Sequence, residues 1–482
     1  MQISSIRCGF ATNSSSWHSI LYKCRKKAVG QRNDEPFEFG WDWFHLKDSK
    51  SKSHYCAAIL FESLPRELPY DFKKSIIKDT IGVSIPKEKA GKWSSDIGID
   101  HQSQICLPMS MSRDSIDVEF ARDFFHYIIE NPDISIGGGN DNEKNHRDRW
   151  KADRPFDNFY KTCGESQAGS SVVRKDGDWY TIFNFRTGTK VRLSFVNSPS
   201  LYVCSSTPEL VDLKITDNCP YGCKFCYQDS TPKGQHADKG KIQDLMYRFS
   251  DAQLMEVAIG GGEPTLHPDF ANILSTAYYS DIVPNFSTHT MDWTKNEKIV
   301  DAVCEYVGGF AISSLNIKVL SELSKWNGAR KWNYSTRHYN RPKGTVQIPL
   351  GCYTKRELIS ALKFCDHNWI DVTFLGYKSF GRGKSIKPTD YSWLMDYIKE
   401  NYWDHFGADT LFVEQFRKKL KNFTDDKLMV GREGRFSCYV DAVKGKIGPS
   451  SYCSEELMSD VPERGSEVGK GVKIFSKFPY TN

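Results

Sequence analysis

The chain is organised around the stretch Cys219-Pro-Tyr-Gly-Cys223-Lys-Phe-Cys226, which places three cysteines at the spacing C-x3-C-x2-C. An apolar run at 210–216 precedes it and predicts a β-strand. Cysteine supplies 14 of the 482 residues, so this spacing arises by chance in roughly one chain of this length in a hundred. Three thiolates on one tight loop can hold three irons of a [4Fe–4S] cluster and leave the fourth iron without a protein ligand.

A zinc site is the alternative interpretation of the three cysteines. Structural zinc sites usually take four protein ligands, arranged as two short pairs. No second C-x2-C pair and no H-x3-H pair follows nearby, where the sequence offers His236 only. The spacing therefore favours an iron–sulfur cluster with an open metal position.

A second motif follows the next apolar run, because 254–259 predicts a strand that ends in Gly260-Gly-Gly-Glu263. With both motifs in this order, the chain resembles the radical S-adenosylmethionine (radical SAM) superfamily. The signature of that superfamily is a C-x3-C-x-aromatic-C loop after the first barrel strand and a Gly-Gly-Glu turn after the second. The resemblance implies a [4Fe–4S] cluster held by Cys219, Cys223 and Cys226, with S-adenosylmethionine (SAM) on the open iron.

The resemblance also implies which residues contact SAM. Phe225 matches the residue that lies beside the adenine, and Glu263 can accept a hydrogen bond from the ammonium group of SAM. Ser313 matches a polar contact, although Ser313 and Thr288 also suit a helix N-cap, and Phe225 also suits packing within its loop. The expected cofactor-binding residues are Phe225, Gly261, Gly262, Glu263, Thr288, Ser313 and Gly376.

The implied reaction is the reductive cleavage of SAM to a 5′-deoxyadenosyl radical, which abstracts hydrogen from a substrate. We expect a peptide or protein residue as substrate, because an aromatic-rich N-terminal part suits the capture of an extended chain. A nucleotide or RNA base is the alternative substrate, and a non-catalytic iron–sulfur or zinc protein is the alternative of another class. The expected partner is a reductant such as a flavodoxin or a ferredoxin, and the cluster predicts sensitivity to oxygen. The residues that act on the substrate remain unassigned.

From residue 208 onward the sequence alternates between strand and helix patterns, which is typical of a parallel β/α architecture. The resemblance covers about 208–385 and implies an α/β fold with a partial (β/α)6 TIM-like barrel. Active sites of such barrels lie at the C-terminal ends of the strands. The six predicted strands are 210–216, 254–259, 282–286, 309–313, 344–350 and 369–375.

Three domains are expected. Residues 1–205 predict an α+β accessory domain of unassigned role, with a helix at 117–129, a three-stranded meander within 171–195 and a linker at 197–200. The barrel takes 206–389, and 390–482 predicts a small C-terminal extension with helices and a β-hairpin. Cys438 and Cys453 lack short paired spacings, so we expect the hairpin rather than an auxiliary cluster.

Composition limits the class of protein. Hydrophobic residues at 39% and charged residues at 26% are sufficient for a buried core. The net charge of +5 is small and spread along the chain, so nucleic-acid binding is possible but not indicated. The chain lacks apolar runs of signal-peptide or bilayer-spanning length, so we expect a cytoplasmic protein without a membrane partner. In that compartment the cysteines are expected as metal ligands and buried thiols.

Four further residues follow the predicted strands and have candidate roles. His267 and His289 can move protons, and His267 is equally suited to capping a helix. Lys378 and Arg382, in Gly376-Tyr-Lys-Ser-Phe-Gly-Arg-Gly383, can hold a carboxylate or phosphate of a substrate.

Overall fold

The computed structural model divides the chain into two compact units. Unit 1 contains Met1–Ser4, Tyr22–Phe185 and Lys190–Leu201, and unit 2 contains Ser5–Leu21, Arg186–Thr189 and Tyr202–Asn482. The predicted linker at 197–200 lies outside the described residues. The structure describes residues 2–7, 37–39, 44–46, 48–64, 68–86, 97–99, 118–130, 136–138, 171–196, 207–333, 338–401, 406–420 and 434–461.

The part of the chain before residue 200 combines helices with short sheets. One sheet has four strands in the order β1-β8-β7-β6, and its β6–β7 and β7–β8 pairs are antiparallel. The elements are β1 (Gln2–Arg7), β2 (Glu38–Phe39), β3 (Phe44–Leu46), α1 (Ser49–Ser63), α2 (Tyr70–Ile81), β4 (Gly98–Ile99), α3 (Val118–Glu130), β5 (Ile136–Gly138), β6 (Ser171–Asp176), β7 (Trp179–Asn184) and β8 (Lys190–Ser194).

The predicted helix and meander of this part are confirmed by α3 and by β6–β8. Aromatic rings join α3 to the sheet, because Phe120 lies edge-on to Tyr180 at 5.2 Å and Phe195 lies within 5.8 Å of both Phe120 and Phe124. Such pairs stabilise a core beyond their buried area. The apolar face of α3 therefore packs against the sheet that contains β7.

Unit 2 alternates strands and helices over most of its length. Its elements are β9 (Leu210–Thr216), α4 (Lys239–Asp251), β10 (Glu256–Gly261), α5 (Phe270–Tyr279), β11 (Val283–Thr288), α6 (Glu297–Tyr306), β12 (Gly309–Ile312), α7 (Ile317–Gly328), β13 (Trp332–Asn333), β14 (His338–Tyr339), β15 (Lys343–Pro349), α8 (Lys355–His367), β16 (Val372–Leu375), α9 (Leu394–Glu400), β17 (Phe406–Ala408), α10 (Thr410–Leu420), β18 (Ser437–Asp441), β19 (Lys446–Gly448) and β20 (Ser459–Asp460).

One mostly parallel sheet forms the centre of unit 2. Its strand order is β17-β16-β15-β12-β11-β10-β9-β18-β19-β20. All pairs from β17 to β18 are parallel, and the last two pairs are antiparallel. Among the described residues the sheet begins at β17 and ends at β20, so it is not a closed barrel.

The number of parallel strands differs from the prediction of six. Both additional strands, β17 and β18, come from the sequence that was assigned to the C-terminal extension. β17 has only three residues, too few for a periodic signal. β18 reads as half of a hairpin, and its β18–β19 hairpin is present, but its pairing with β9 joins segments more than 200 residues apart. Local sequence patterns do not report such a contact.

Buried apolar side chains hold the helices of unit 2 against its sheet. Every residue of β9 is buried, as expected for a parallel strand with both faces covered. α4 turns Ile242, Leu245, Met246 and Phe249 inward, and α8 begins at the capping box of Thr354 and Glu357. Because the strands are parallel, their C-terminal ends meet along one edge of the sheet.

The C-terminal cysteines lie on or after the hairpin. Cys438 is buried on β18 beside Val211 of β9, and burial raises the pKa of its thiol. The sulfur of Cys453 lies 3.4 Å from that of Met458. None of the described helices combines the length and the hydropathy needed to cross a bilayer.

Candidate functional site

A cavity opens at the C-terminal ends of the parallel strands and encloses about 1110 Å³, including the part open to solvent. Most of its lining residues end or follow β9, β10, β11, β12, β15 and β16. All ten residues that were expected to hold the cluster or SAM are among its lining residues: Cys219, Cys223, Phe225, Cys226, Gly261, Gly262, Glu263, Thr288, Ser313 and Gly376. The fold therefore brings together residues that are up to 157 positions apart in the sequence.

The cysteine loop, defined here as residues 217–231, leaves β9 and is fixed at its base. The N–H of Cys219 donates to the carbonyl of Thr231 at 2.9 Å, and the N–H of Cys226 donates to the carbonyl of Cys223 at 3.2 Å. Cys219, Cys223 and Cys226 are free, half-buried thiols. Burial raises the pKa of the Cys219 and Cys223 thiols.

A buried lysine connects the loop to the neighbouring strand. Lys214 on β9 is 3% exposed, and its ammonium contacts the carboxylates of Asp217 and, at 3.2 Å, Asp441 on β18. Burial alone would lower the pKa of Lys214, but the two carboxylates raise it. Removing one partner of such a buried pair costs about 3 kcal/mol. The first residue of the loop is therefore held by charge as well as by the sheet.

The donor set fits a cluster better than a single ion. Among the residues that the structure describes, His, Cys, Asp and Glu side chains are nowhere gathered in threes closely enough to ligate one metal ion. A cubane makes a different demand, because each thiolate binds a separate iron at a separate corner. Three free thiols around one cavity meet that demand.

The glycine–glutamate turn, Gly260–Glu263, lies against the start of the cysteine loop. The N–H of Gly262 donates to the carbonyl of Thr216 at 2.7 Å, and the N–H of Glu263 donates to the carbonyl of Asn218 at 2.8 Å. Gly261 has φ +129°, and a Cβ on Gly262 would overlap the Asn218 carbonyl. The two glycines, which were expected from the sequence to bind the cofactor, allow two segments of this chain to approach each other.

Glu263 is 2% exposed, and its carboxylate accepts four hydrogen bonds. Oε1 accepts from the hydroxyl and the N–H of Thr265 at 2.6 and 3.3 Å and from the hydroxyl of Thr288 at 2.8 Å; Oε2 accepts from the N–H of His289 at 2.9 Å. Burial raises the pKa of Glu263, and the four donors oppose that shift. With three donors on Oε1 and one on Oε2, Oε2 is the oxygen with room for a further donor.

The next two candidates differ in how the protein already uses them. Thr288, the last residue of β11, donates a hydrogen bond from its hydroxyl to Glu263 and does not cap a helix. Ser313 follows β12, and the next helix is instead capped by Asn316. The carbonyl of Ser313 accepts a hydrogen bond from Tyr353 at 3.1 Å, so the backbone of this lining residue is held in place.

Phe225 and Gly376 are the remaining two residues that were expected to bind the cofactor. The ring of Phe225 lies edge-on to Tyr353 at 5.8 Å while it also lines the cavity. Gly376 follows β16, and a Cβ there would lie 2.5 Å from Leu411 on α10. Its N–H donates to the carboxylate of Asp409 at 2.9 Å, so this backbone donor is already used by the residue between β17 and α10.

The sequence of this region matches a known family model. Residues 213–338 match the model of the Radical SAM superfamily, a range that contains the cysteine loop, the glycine–glutamate turn, Thr288 and Ser313. This part of the chain is therefore similar in sequence to the radical SAM domain. Members of this superfamily are enzymes that use a [4Fe–4S] cluster and SAM.

Curated relatives match short parts of the chain. GTP 3′,8-cyclase of Actinobacillus pleuropneumoniae serotype 3 (strain JL03) is 38% identical over 68 residues, which are 13% of this chain and 20% of the relative. GTP 3′,8-cyclase of Vibrio atlanticus (strain LGP32) is 23% identical over 168 residues, which are 33% of this chain and 49% of the relative. The chain thus spans about a fifth of the length of the first relative and about half of the second.

Solved structures are similar at a general level. SuiB of Streptococcus suis is 13% identical with a TM-score of 0.46, over 65% of this chain and 89% of that chain. The structure of anSMEcpe with bound AdoMet and Cp18Cys peptide is 11% identical with a TM-score of 0.38, over 55% of this chain and 80% of that chain. Both similarities are too distant to indicate an activity.

Two histidines were candidates for moving protons, and His289 alone of the two is among the residues that line the cavity. His267 precedes α5, whose N-cap is Asp269. Its Nδ1 accepts from the N–H of Asp269 at 3.1 Å while Nε2 lies 2.9 Å from the carbonyl of Ala237. His289 lines the cavity, and its ring lies tilted against that of Tyr221 with centroids 4.4 Å apart. Burial lowers the pKa of both imidazoles, so both favour the neutral form.

The two cations predicted to hold a substrate have separate surroundings. Lys378 is 8% exposed and lines the cavity, with its ammonium 4.5 Å from the ring centre of Tyr227 and 4.7 Å from that of Tyr452. Arg382 is not among the residues that line the cavity. Its guanidinium contacts the cysteine loop instead.

Sequence reasoning missed several lining residues of the radical SAM cavity. Asp212 and Gln347 are buried polar residues in the middle of apolar strands, and Cys352 follows β15. A polar residue inside an otherwise apolar parallel strand is a usable signal, because burial requires a reason. Cys352 carried no signal of this kind, and burial raises the pKa of its thiol to about 12.

Proposed function

We propose that this chain is a radical SAM enzyme whose cluster is held by Cys219, Cys223 and Cys226. The proposal rests above all on one observation: the three free thiols line the same cavity as the glycine–glutamate turn and the polar residues at the ends of β11 and β12. When bound, the cluster supplies the electron that cleaves SAM to methionine and a 5′-deoxyadenosyl radical, which abstracts hydrogen from the substrate.

The residues of this chain would bind and orient SAM. We propose that Glu263 accepts from the ammonium group of SAM through Oε2, since Oε1 already accepts three hydrogen bonds. Ser313 would supply a polar contact, and Phe225 an aromatic surface beside the adenine. Gly261, Gly262, Thr288 and Gly376 would shape the wall, chiefly by holding backbone segments together. We further propose that the parallel strands curve as a partial barrel around this site.

We propose a peptide or protein residue as substrate and a flavodoxin or ferredoxin as electron donor. The support for a peptide is the aromatic-rich sequence before the radical SAM domain, which has helices and sheets of its own. A nucleotide is the second candidate, because the curated relatives are named GTP 3′,8-cyclase.

A product assay tests the proposed chemistry. Protein reconstituted with iron and sulfide without oxygen is mixed with dithionite and SAM, and 5′-deoxyadenosine and methionine are measured. We expect both products from the wild type and at least about a hundredfold less from C223S, whose hydroxyl is a poor iron ligand. Absence of 5′-deoxyadenosine from a fully loaded wild type would favour the non-catalytic alternative.

Acceleration of the same assay tests the substrate class. Fractions of cellular peptides and proteins are compared with GTP and with RNA, each supplied with deuterated carbon-bound positions. Transfer of deuterium into 5′-deoxyadenosine from the peptide fraction supports the first candidate. Transfer from GTP or RNA supports the second and contradicts the first.

A further inference from the structure

A turn that begins 155 residues beyond Cys226 contacts the cysteine loop directly. This arginine turn is the 3-10 helix Gly381–Ser385, which follows β16. The N–H of Arg382 donates to the carbonyl of Cys226 at 3.0 Å. The Nε of Arg382 donates to the carbonyl of Cys223 at 3.0 Å. Two of the three candidate cluster ligands therefore have their backbone carbonyls bound by one residue.

The other end of the guanidinium extends the contact along the loop. Nη1 donates to the carbonyl of Ser230 and to the carboxylate of Asp229, both at 2.9 Å. Asp229 has φ +54°, a left-handed conformation that the chain must hold in place. A planar guanidinium with several donors can reach these acceptors at once, whereas an ammonium on a flexible stem cannot fix them in one geometry.

The glycines of the arginine turn pack closely against the backbone of the cysteine loop. A Cβ on Gly381 would lie 2.6 Å from the carbonyl oxygen of Cys226, and one on Gly383 would lie 3.2 Å from that of Phe225. Tyr377 fixes the turn from behind, because its hydroxyl donates to the carbonyl of Gly383 at 2.6 Å. The turn and the loop are thus in backbone contact on both sides of Arg382.

Exposure decides which contacts of Arg382 matter. Its side chain is 30% exposed and that of Asp229 is 66% exposed, so the ion pair is a surface pair of small value. The carbonyls of Cys223 and Ser230 are backbone acceptors within the loop, and a hydrogen bond from a charged donor to such a group is stronger than one from a neutral donor.

We infer that Arg382 is a positioning residue that holds the backbone of the cysteine loop in its cluster-binding conformation before the cluster is assembled. This inference rests on the proposed function for the identity of the bound group. The loop geometry itself is a property of the protein without the cluster, so it can be tested separately.

The test compares R382Q and R382K with two matched controls. D229N removes the ion pair and keeps the carbonyl contacts, and K384Q removes an exposed cation from the same turn. Hydrogen–deuterium exchange of the cluster-free protein reports the opening of residues 217–231. We expect exchange there to be about tenfold faster in R382Q, intermediate in R382K and within about twofold of the wild type in both controls. Exchange in the rest of unit 2 should be unchanged, which separates local positioning from general destabilisation.

Iron release to a chelator provides the second measurement. After anaerobic reconstitution, R382Q should lose iron about tenfold faster than the wild type, with R382K between them. Equal loop exchange and equal iron release in R382Q and the wild type would overturn the inference. A wild type that binds no cluster would instead overturn the proposed function, while loop exchange in the cluster-free protein would still decide the role of Arg382.

Discussion

Two turns hold the cysteine loop, and they do so by different means. The glycine–glutamate turn binds the start of the loop through backbone hydrogen bonds to Thr216 and Asn218. The arginine turn binds the loop through the backbone N–H of Arg382, which donates to Cys226, and through the Arg382 side chain, which donates to the carbonyls of Cys223 and Ser230. Backbone contacts between adjacent parallel strands follow from the fold, whereas the contacts with Cys223 and Ser230 depend on one side chain. The comparison suggests that the first turn sets the position of the loop and the second sets its conformation.

The largest expected effect breaks the first turn. G262A introduces a Cβ that overlaps the Asn218 carbonyl, so one segment must move. We expect the free energy of unfolding of unit 2 to fall by about 3 kcal/mol and most of the bound iron to be lost. Urea unfolding and iron analysis measure both effects.

G328A is the matched control for G262A. A Cβ at Gly328, on α7, meets nothing within 4 Å. This variant should unfold like the wild type or slightly later, since alanine favours a helix. Equal behaviour of G262A and G328A would contradict the tight contact between the turn and the loop.

The second prediction concerns the carboxylate of the same turn. E263Q presents an amide N–H₂ to groups that are themselves donors, so at least one buried donor loses its acceptor. The free energy of unfolding should fall by about 2 kcal/mol, and SAM affinity measured by equilibrium binding should fall as well. E357Q, at the exposed capping box of α8, should cost only a few tenths of a kcal/mol. A SAM affinity unchanged in E263Q would exclude Glu263 as the ammonium acceptor.

The third prediction sharpens the second half of the comparison. Gly381 has φ +52° and lies against the Cys226 carbonyl, while Gly445 has φ +66° with open space around it. G381A and G445A therefore share the cost of a left-handed alanine, about 1 kcal/mol, but only G381A meets the loop. We expect faster iron release in G381A alone. Identical iron release in the two variants would show that the arginine turn does not constrain the loop.

The smallest expected effect is a pH dependence of stability at His289, whose N–H donates to Glu263 of the glycine–glutamate turn. Burial lowers the pKa of His289, so below pH about 6.5 the unfolded chain binds a proton that the folded chain does not. Stability contributed by the neutral imidazole is therefore present above that pH and is lost as the pH falls towards the folded pKa. Urea midpoints at pH 7.5 and 5.5 should differ less for H289Q than for the wild type, because the variant lacks the buried imidazole. A difference as large in H289Q as in the wild type would contradict this assignment.

The sequence allowed the first turn to be predicted but not the second. C-x3-C-x2-C and Gly260–Glu263 are local patterns, and the strands that carry them have clear apolar runs. The six predicted strands therefore lie near the observed β9, β10, β11, β12, β15 and β16, whereas the short β13 and β14 were not predicted. From the sequence, Arg382 was expected to bind a substrate. Its contact with Cys223 spans 159 residues, and local sequence patterns do not report a contact over that distance. Nothing in the letters around Arg382 indicates which backbone carbonyls it meets.

The strand pairing shows the same limit. β18 is recognisable from the sequence as part of a hairpin, but its pairing with β9 is not. The two strands are also joined by the ion pair between Lys214 on β9 and Asp441 on β18. Likewise, the role of Gly376 depends on the approach of Leu411. Residues that act through distant contacts are thus found by structure, and those that act through local motifs are found by sequence.

The most direct test of the central claim is electron paramagnetic resonance of the reduced, anaerobically reconstituted protein with and without SAM. We predict the signal of one [4Fe–4S] cluster per chain and a clear change of that signal when SAM is added, in the wild type and in C352S alike. Zinc bound at Cys219, Cys223 and Cys226, or a cluster signal that SAM leaves unchanged because a fourth side chain holds the last iron, would contradict the account.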